Sequence, residues 1–146
     1  MNPKAWEACK CLNKIKKLDR KIQILTDEIA QLEAAATRIT AVIDKLGVQT
    51  SPENHKEDAI IKYVDSTKQL AHLLQIFQFE RSKILSVLMQ LPNPDHIDIL
   101  YKRYFEFKKW EQICDEMARS STWIFDAHAA ALMDFYTYHE KRSKKE

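Results

Sequence analysis

The chain has 146 residues, with 23 Lys and Arg against 21 Asp and Glu; its formal charge of +2 excludes a histone-like polyelectrolyte and leaves any nucleic-acid binding to a local patch. The length suits one ordinary domain, or one elongated element plus one very small domain, and not two full globular domains. A single Gly and four Pro cannot furnish the turns of a sheet or barrel, whereas the abundance of Glu, Lys, Leu, Ile, Ala and Gln favours helix.

Charges interrupt every apolar run, so no segment reaches the roughly 18 to 20 residues needed to span a bilayer. Met1 to Lys21 carries seven Lys or Arg and lacks the compact apolar stretch and small-residue cleavage site of a secretory signal. Cys9, Cys11 and Cys114 make no framework of spaced pairs, as expected in a reducing compartment, and Cys9-x-Cys11 lacks the further ligands that zinc requires. The expectation is a cytoplasmic protein without metal, cofactor or membrane contact.

The first element is a long helix. Ile15, Leu18, Ile22, Leu25, Ile29, Leu32, Ala36, Ile39, Ile43 and Leu46 recur at alternating steps of three and four, a heptad seam that asks for a partner helix. From about Ala5 to Leu46 the helix would be roughly 60 Å long at 1.5 Å per residue, ending at Gly47. Lys10, Lys14, Lys17 and Lys21 form a basic stripe beside the seam, suited to a solvated flank, a phosphate backbone or an acidic partner.

Ser51-Pro52-Glu53 reads as an N-cap, a first-turn proline and a first-turn acid, so a second helix starts near Pro52. Its seam runs Tyr63, Thr67, Leu70, Leu74, Phe77, Arg81, Ile84, Leu88, Leu91, with Arg81 a long side chain reaching to the edge. The short polar connection makes the pair an antiparallel hairpin. Ile24, Val42, Ile60, Leu73, Ile76, Phe79 and Val87 lie off both seams; one hairpin cannot bury them all, which predicts a homodimer or higher helical bundle.

Leu91-Pro92-Asn93-Pro94-Asp95 stops the second helix and divides the chain into a hairpin over 1–92 and a small domain over 93–146. Beyond it, candidate helices fall near Asp95 to Phe105, Lys109 to Met117 and Ser121 to His139. Ile113-Cys114, Ala118 and Ile124 have the spacing of a helix-turn-helix: Cys114 lets two helices cross closely, Ala118 suits a tight turn and Ile124 anchors the second helix to the first. Ser120 or Ser121 can cap that helix. An Ala in the left-handed conformation costs on the order of 1 kcal/mol, which favours a rearranged turn. The fold class is thus all-α, a long antiparallel coiled-coil hairpin followed by a helix-turn-helix.

His55, His72, His96, His128 and His139 are scattered, and neither a phosphate-binding Gly-rich loop nor a nucleophile motif is present, so no enzyme activity is expected. Trp110 and Trp123 suit core positions at least as well as base stacking.

Several of these residues also carry a likeness. Leu91-Pro-x-Pro, Ile99-Leu100-Tyr101-x-Arg103-Tyr104, Trp110-Glu111-x-Ile113, Ser120 and His128-x-x-Ala131-Leu132 resemble the fourth conserved region of bacterial sigma factors. Together with Ala36-Thr37-Arg38-Ile39-Thr40 and Gly47-Val48-Gln49-Thr50-Ser51-Pro52, the chain resembles a family of small phage and prophage proteins that carry this module behind a helical hairpin. That resemblance implies a phage transcriptional regulator, similar to activators of late genes, acting on double-stranded promoter DNA, with host RNA polymerase as a possible partner. It also implies that Ser121, Thr122, Phe125, Asp126 and Ala129 face the major groove. Phosphate contacts would come from Lys108, Lys109 and Arg119, with Ser120 at the helix start and Lys141 and Arg142 in a basic tail.

One chemical departure stands against this. From Ser120 through Glu140 there is no Lys or Arg, whereas recognition helices commonly present Arg to guanine, and Asp126 and Asp134 repel phosphate. The competing reading is a non-catalytic interaction or phage assembly component, such as a packaging protein, that binds through its hairpin.

Overall fold

The structure, a computed structural model, describes residues 2–46 and 53–145; side chains at 39, 40, 42–44, 46 and 53–56 are outside that description. The architecture is all-α: α1 (Pro3–Leu46), α2 (Glu53–Leu88), α3 (Pro94–Leu100), a π-helical segment (Tyr101–Phe105), α4 (Trp110–Met117) and α5 (Ser121–Lys145). No described helix is long and apolar enough to cross a membrane. The expected caps at Gly47 and Ser51, and the candidate surface residue Val42, lie outside the described residues or side chains.

The packing divides into two compact units, Met1–Lys17 with Phe77–Glu146 and Leu18–Ile76. The division therefore does not fall at Pro92, where sequence reading puts it: the prolines mark a turn inside the first unit. The reason lies in the first turns of α1. Ala5, Ala8, Leu12 and Ile15 repeat at three, four and three, and all are buried against Ile84, Val87, Leu88 and Leu91 of the α2 end and Ala131, Leu132 and Phe135 of α5. Small Ala side chains at two of the four positions let helices approach closely. Val87, expected on a surface for partner binding, is 1% exposed in this core and unavailable to a partner.

In the second unit the α1 seam is as the heptad pattern predicts, with Leu18, Ile22, Leu25, Ile29, Leu32 and Ala36 half-buried. The α2 row is displaced by one residue: Ser66, Leu70, Leu73 and Ile76 are half-buried, while Tyr63, Thr67 and Leu74 are exposed. Adjacent rows on α2 are both apolar, and only the partner surface selects between them. Leu73 and Ile76, expected outside the seam, belong to the half-buried row. Ile24, Ile60, Ile61 and Val64 are exposed, as is Phe79 of the first unit.

Short connections order the first unit. The α2 end tightens through Gln90 N–H to Val87 O and Leu91 N–H to Leu88 O bonds. Asn93 then caps α3, its Oδ1 accepting from Asp95 N at 2.9 Å with Pro94 in the first helical position. After Leu100 the helix widens: Glu106 N–H donates to Tyr101 O and Lys108 N–H to Lys102 O, both at 3.0 Å. The wider turn buries the adjacent rings of Tyr104 and Phe105 together. Phe107 then takes φ 58°, a left-handed turn that reverses the chain into α4. Arg81 is not simply a side chain reaching for solvent: its guanidinium lies 5.1 Å over the Phe105 ring and 3.5 Å from the Tyr101 hydroxyl.

Candidate nucleic-acid interface

Ile99, Ile113 and Ile124 are fully buried together under Trp110, Cys114, Met117, Trp123 and Ala127, joining α3, α4 and α5 into a small separate core. Each isoleucine comes from a different helix, so one cluster fixes how α4 meets α5. The connection is a tight Schellman turn. Arg119 N–H reaches Cys114 O at 3.1 Å and Ala118 N–H reaches Asp115 O at 3.3 Å, with Ala118 left-handed at φ 53°, ψ 46°. The expected rearrangement does not occur: Ala118 adopts the costly conformation, and the two bonds together with the isoleucine core hold it there.

Ser120 is the cap of α5, its hydroxyl oxygen accepting from Trp123 N at 3.2 Å, a bond that does not use its O–H donor. From there α5 buries Ile124, His128, Ala131, Leu132 and Phe135 on one face. Ser121, Thr122, Phe125, Asp126 and Ala129 are all exposed on the other. The five positions expected at a major groove thus share one strip, with Phe125 at its edge packed against Trp110, ring centroids 5.3 Å apart.

The cations expected to accompany them are placed unevenly. Lys108 is bound to Glu116 at 2.7 Å and Glu106 at 3.3 Å, while Lys102 reaches the same Glu116 at 3.1 Å. The Glu116 hydrogen bond holds the Lys108 ammonium above its usual range, and Lys108 then Lys102 hold the Glu116 carboxyl below its own. Lys108, expected at a phosphate, thus braces the loop against α4 through these ion pairs. Arg119 lies 4.5 Å over the Trp123 ring, and Lys109 is exposed at the α4 start. Asp134, expected to repel phosphate, instead holds His96 Nδ1 of α3 at 2.8 Å. The basic tail is a continuation of α5: Arg142 donates to Lys83 O at 2.9 Å, and the Lys141 ammonium is 5.2 Å over Tyr138.

A partly buried polar chain that no local motif announces links α1, the π-helical segment and α5. Asn13 Nδ2 donates to Cys9 Sγ at 3.4 Å, Cys9 Sγ is 3.4 Å from the Tyr104 hydroxyl, and that hydroxyl is 2.8 Å from His128 Nε2. Burial, then the Arg103 charge, pushes His128 down to about 4, so it is neutral near pH 7 and shares one hydrogen bond with Tyr104. Burial also raises the Tyr104 phenol, keeping it a donor. Arg103 in turn sits 4.6 Å over Trp110 and donates to Lys108 O at 2.9 Å. The chain has the ordered donors and acceptors of a structural network. Among the described residues no cluster of His, Cys, Asp and Glu could hold a metal.

No family model matches the chain, and no curated protein or solved structure does so either.

Proposed function

We propose that the protein is a non-enzymatic regulator, acting in the cytoplasm of a bacterial host, that reads duplex promoter DNA of a phage or prophage through the N-terminal half of α5. The observation that carries this reading is the exposed strip Ser121, Thr122, Phe125, Asp126 and Ala129 immediately after the tight α4–α5 turn. Its chemistry fits particular base edges despite the absence of cations. A carboxylate accepts from the cytosine amino group, Ser and Thr bond either kind of base, and Phe and Ala meet the thymine methyl. Enrichment of a random duplex library on the full chain tests it. A recurrent sequence, lost on Thr122→Ala with Phe125→Ala, is expected; a library that stays random after repeated selection overturns the reading.

A second property is favoured by Ile60, Ile61, Val64 and Leu74, all exposed along α2 in the second unit. Such a stripe suits self-association into a helical bundle, which would present paired recognition helices to two half-sites. Sedimentation equilibrium at micromolar concentration is expected to give a dimer or larger species, dissociated by Ile60→Glu with Val64→Glu. A monomer throughout removes this part of the reading. RNA polymerase remains the protein partner implied by the resemblance.

A further inference from the structure

The two basic runs, one at the start of α1 and one at the end of α5, are far apart in sequence, yet the fold of the first unit brings them to one surface. Lys14 of α1 lines two adjoining clefts, one of about 520 Å³ beside Tyr136 and His139, the other of about 160 Å³ beside Lys83 and Arg142. A third, of about 560 Å³, runs on from Arg142 to Lys144 and Lys145 at the helix end. We propose that this surface is a phosphate-backbone binding site for duplex DNA, distinct from the strip at the start of α5.

The charge balance favours an anion. Carboxylates line the clefts too, namely Glu7, Glu80 and Glu140. Glu7 is already engaged by Lys10 at 3.4 Å, so that pair contributes little net field. Against the remaining two stand Lys14, Lys83 and the three tail lysines. The ammonium groups of Lys83 and Lys141 lie over the rings of Phe79 and Tyr138, each at 5.2 Å, contacts that orient a cation without neutralising it. Arg142 donates to Lys83 O, which ties the α5 end to α2, and Cys11 Sγ lies 3.6 Å from His139 Nε2, which joins the α1 run to α5.

The kind of polyanion follows from the residue types. Protein interfaces are poor in Lys and centre on apolar or aromatic anchors, whereas backbone contacts to nucleic acid are made by flexible Lys and Arg. The cations of this surface are mostly lysine. From Ser121 to His139, α5 rises about 27 Å at 1.5 Å per residue, less than one turn of duplex at about 34 Å. One duplex can therefore span both the strip and the cleft, which supplies the positive charge the strip lacks.

Full-length protein titrated into a labelled random-sequence duplex over a salt series tests the proposal by anisotropy. Replacing Lys14, Lys83 and Lys141 by Gln should lower the slope of log affinity against log salt by about 2 to 3, close to one per lost phosphate contact. Lys45→Gln with Lys62→Gln and Lys68→Gln, on the exposed surface of the second unit, removes the same net charge and should leave the slope unchanged. Lys14→Glu alone, at an exposed position, should weaken binding at least fivefold while helix content is retained. A cleft-dependent slope without any enriched sequence leaves this site standing and removes the reading of the strip. An enriched sequence bound with the same slope by wild type and the triple variant does the reverse. Competition by polyglutamate as effective as by duplex DNA, at equal charge concentration, also overturns the proposal by assigning the surface to acidic proteins.

Discussion

The Tyr104 hydroxyl and His128 Nε2 meet at 2.8 Å inside the first unit, with Tyr104 on the π-helical segment and His128 on α5. The bond links the element that feeds α4 to the helix that carries the candidate reading strip. Tyr104→Phe leaves a buried imidazole nitrogen without its hydrogen-bond partner, at a cost of about 1–3 kcal/mol. Urea unfolding at pH 7 is expected to show a lowered midpoint with an unchanged slope; a midpoint equal to wild type contradicts the role given to this bond.

The same histidine sets an acid limb. His128 is depressed in the folded state to about 4 from an ordinary 6.5, so the unfolded chain takes up the proton first as pH falls. Stability is therefore full above pH 6.5, declines between 6.5 and 4, and has lost this contribution below that, about 3 kcal/mol in all. His139, also lowered chiefly by burial, acts in the same direction. Urea midpoints across pH 4 to 8 should trace this decline, and His128→Gln should flatten it. An equally steep decline in that variant would place the effect elsewhere.

Ala118 offers a test of the turn. Its φ of 53° is one that Gly adopts without a Cβ penalty. Ala118→Gly is expected to stabilise the protein by about 0.5–1 kcal/mol and raise Tm by a few degrees. A lower Tm would mean that the cost of ordering Gly outweighs the relief of strain.

Asp126 should leave a signature in base preference. A carboxylate accepts from the cytosine amino group, whereas an amide pairs with adenine. Asp126→Asn is expected to shift the enriched base at one position from C to A, with discrimination worth about 1–3 kcal/mol. An identical enriched sequence for both proteins would show that Asp126 contacts no base.

The start of α1 belongs to the same core as α5, so a fragment of residues 93–146 is not expected to fold by itself. Leu12→Ala in the full chain should cost about 2–5 kcal/mol, the range for a fully buried leucine. Circular dichroism melts of fragment and variant check both points; a fragment with a cooperative melt would restore the division at Pro92.

Much of this was legible where one helix supplies its own pattern. The α1 seam from Ile15 to Ala36, the proline turn at Leu91–Asp95 and the α4–α5 spacing follow from local periodicity and caps, whereas the α5 strip was implied by the resemblance alone. What local reading misses depends on partners. The α2 row lies at Leu70 and Leu73 rather than Leu70 and Leu74 because apolar residues occupy both choices. Ala5 and Ala8 carry too little hydrophobicity to announce a core, although their spacing continues that of Leu12 and Ile15. Lys108 reads as a free cation until Glu116 is seen beside it. Cys9 and Asn13 are one helical turn apart, but no sequence interval links them to Tyr104 and His128.

Cys11 and His139, 128 residues apart in the chain, lie 3.6 Å from one another. Joining segments so distant carries a large loop-closure penalty before any contact offsets it, which makes completion of the first unit a slow, late event. During synthesis the apolar face of α1 emerges early, and after the α2 end has appeared it must still wait for residues 131–135 before its cover is complete. Until then the nascent chain exposes Leu12 and Ile15 to chaperones and proteases, and interrupted translation products should be cleared rather than accumulate as half-functional hairpins.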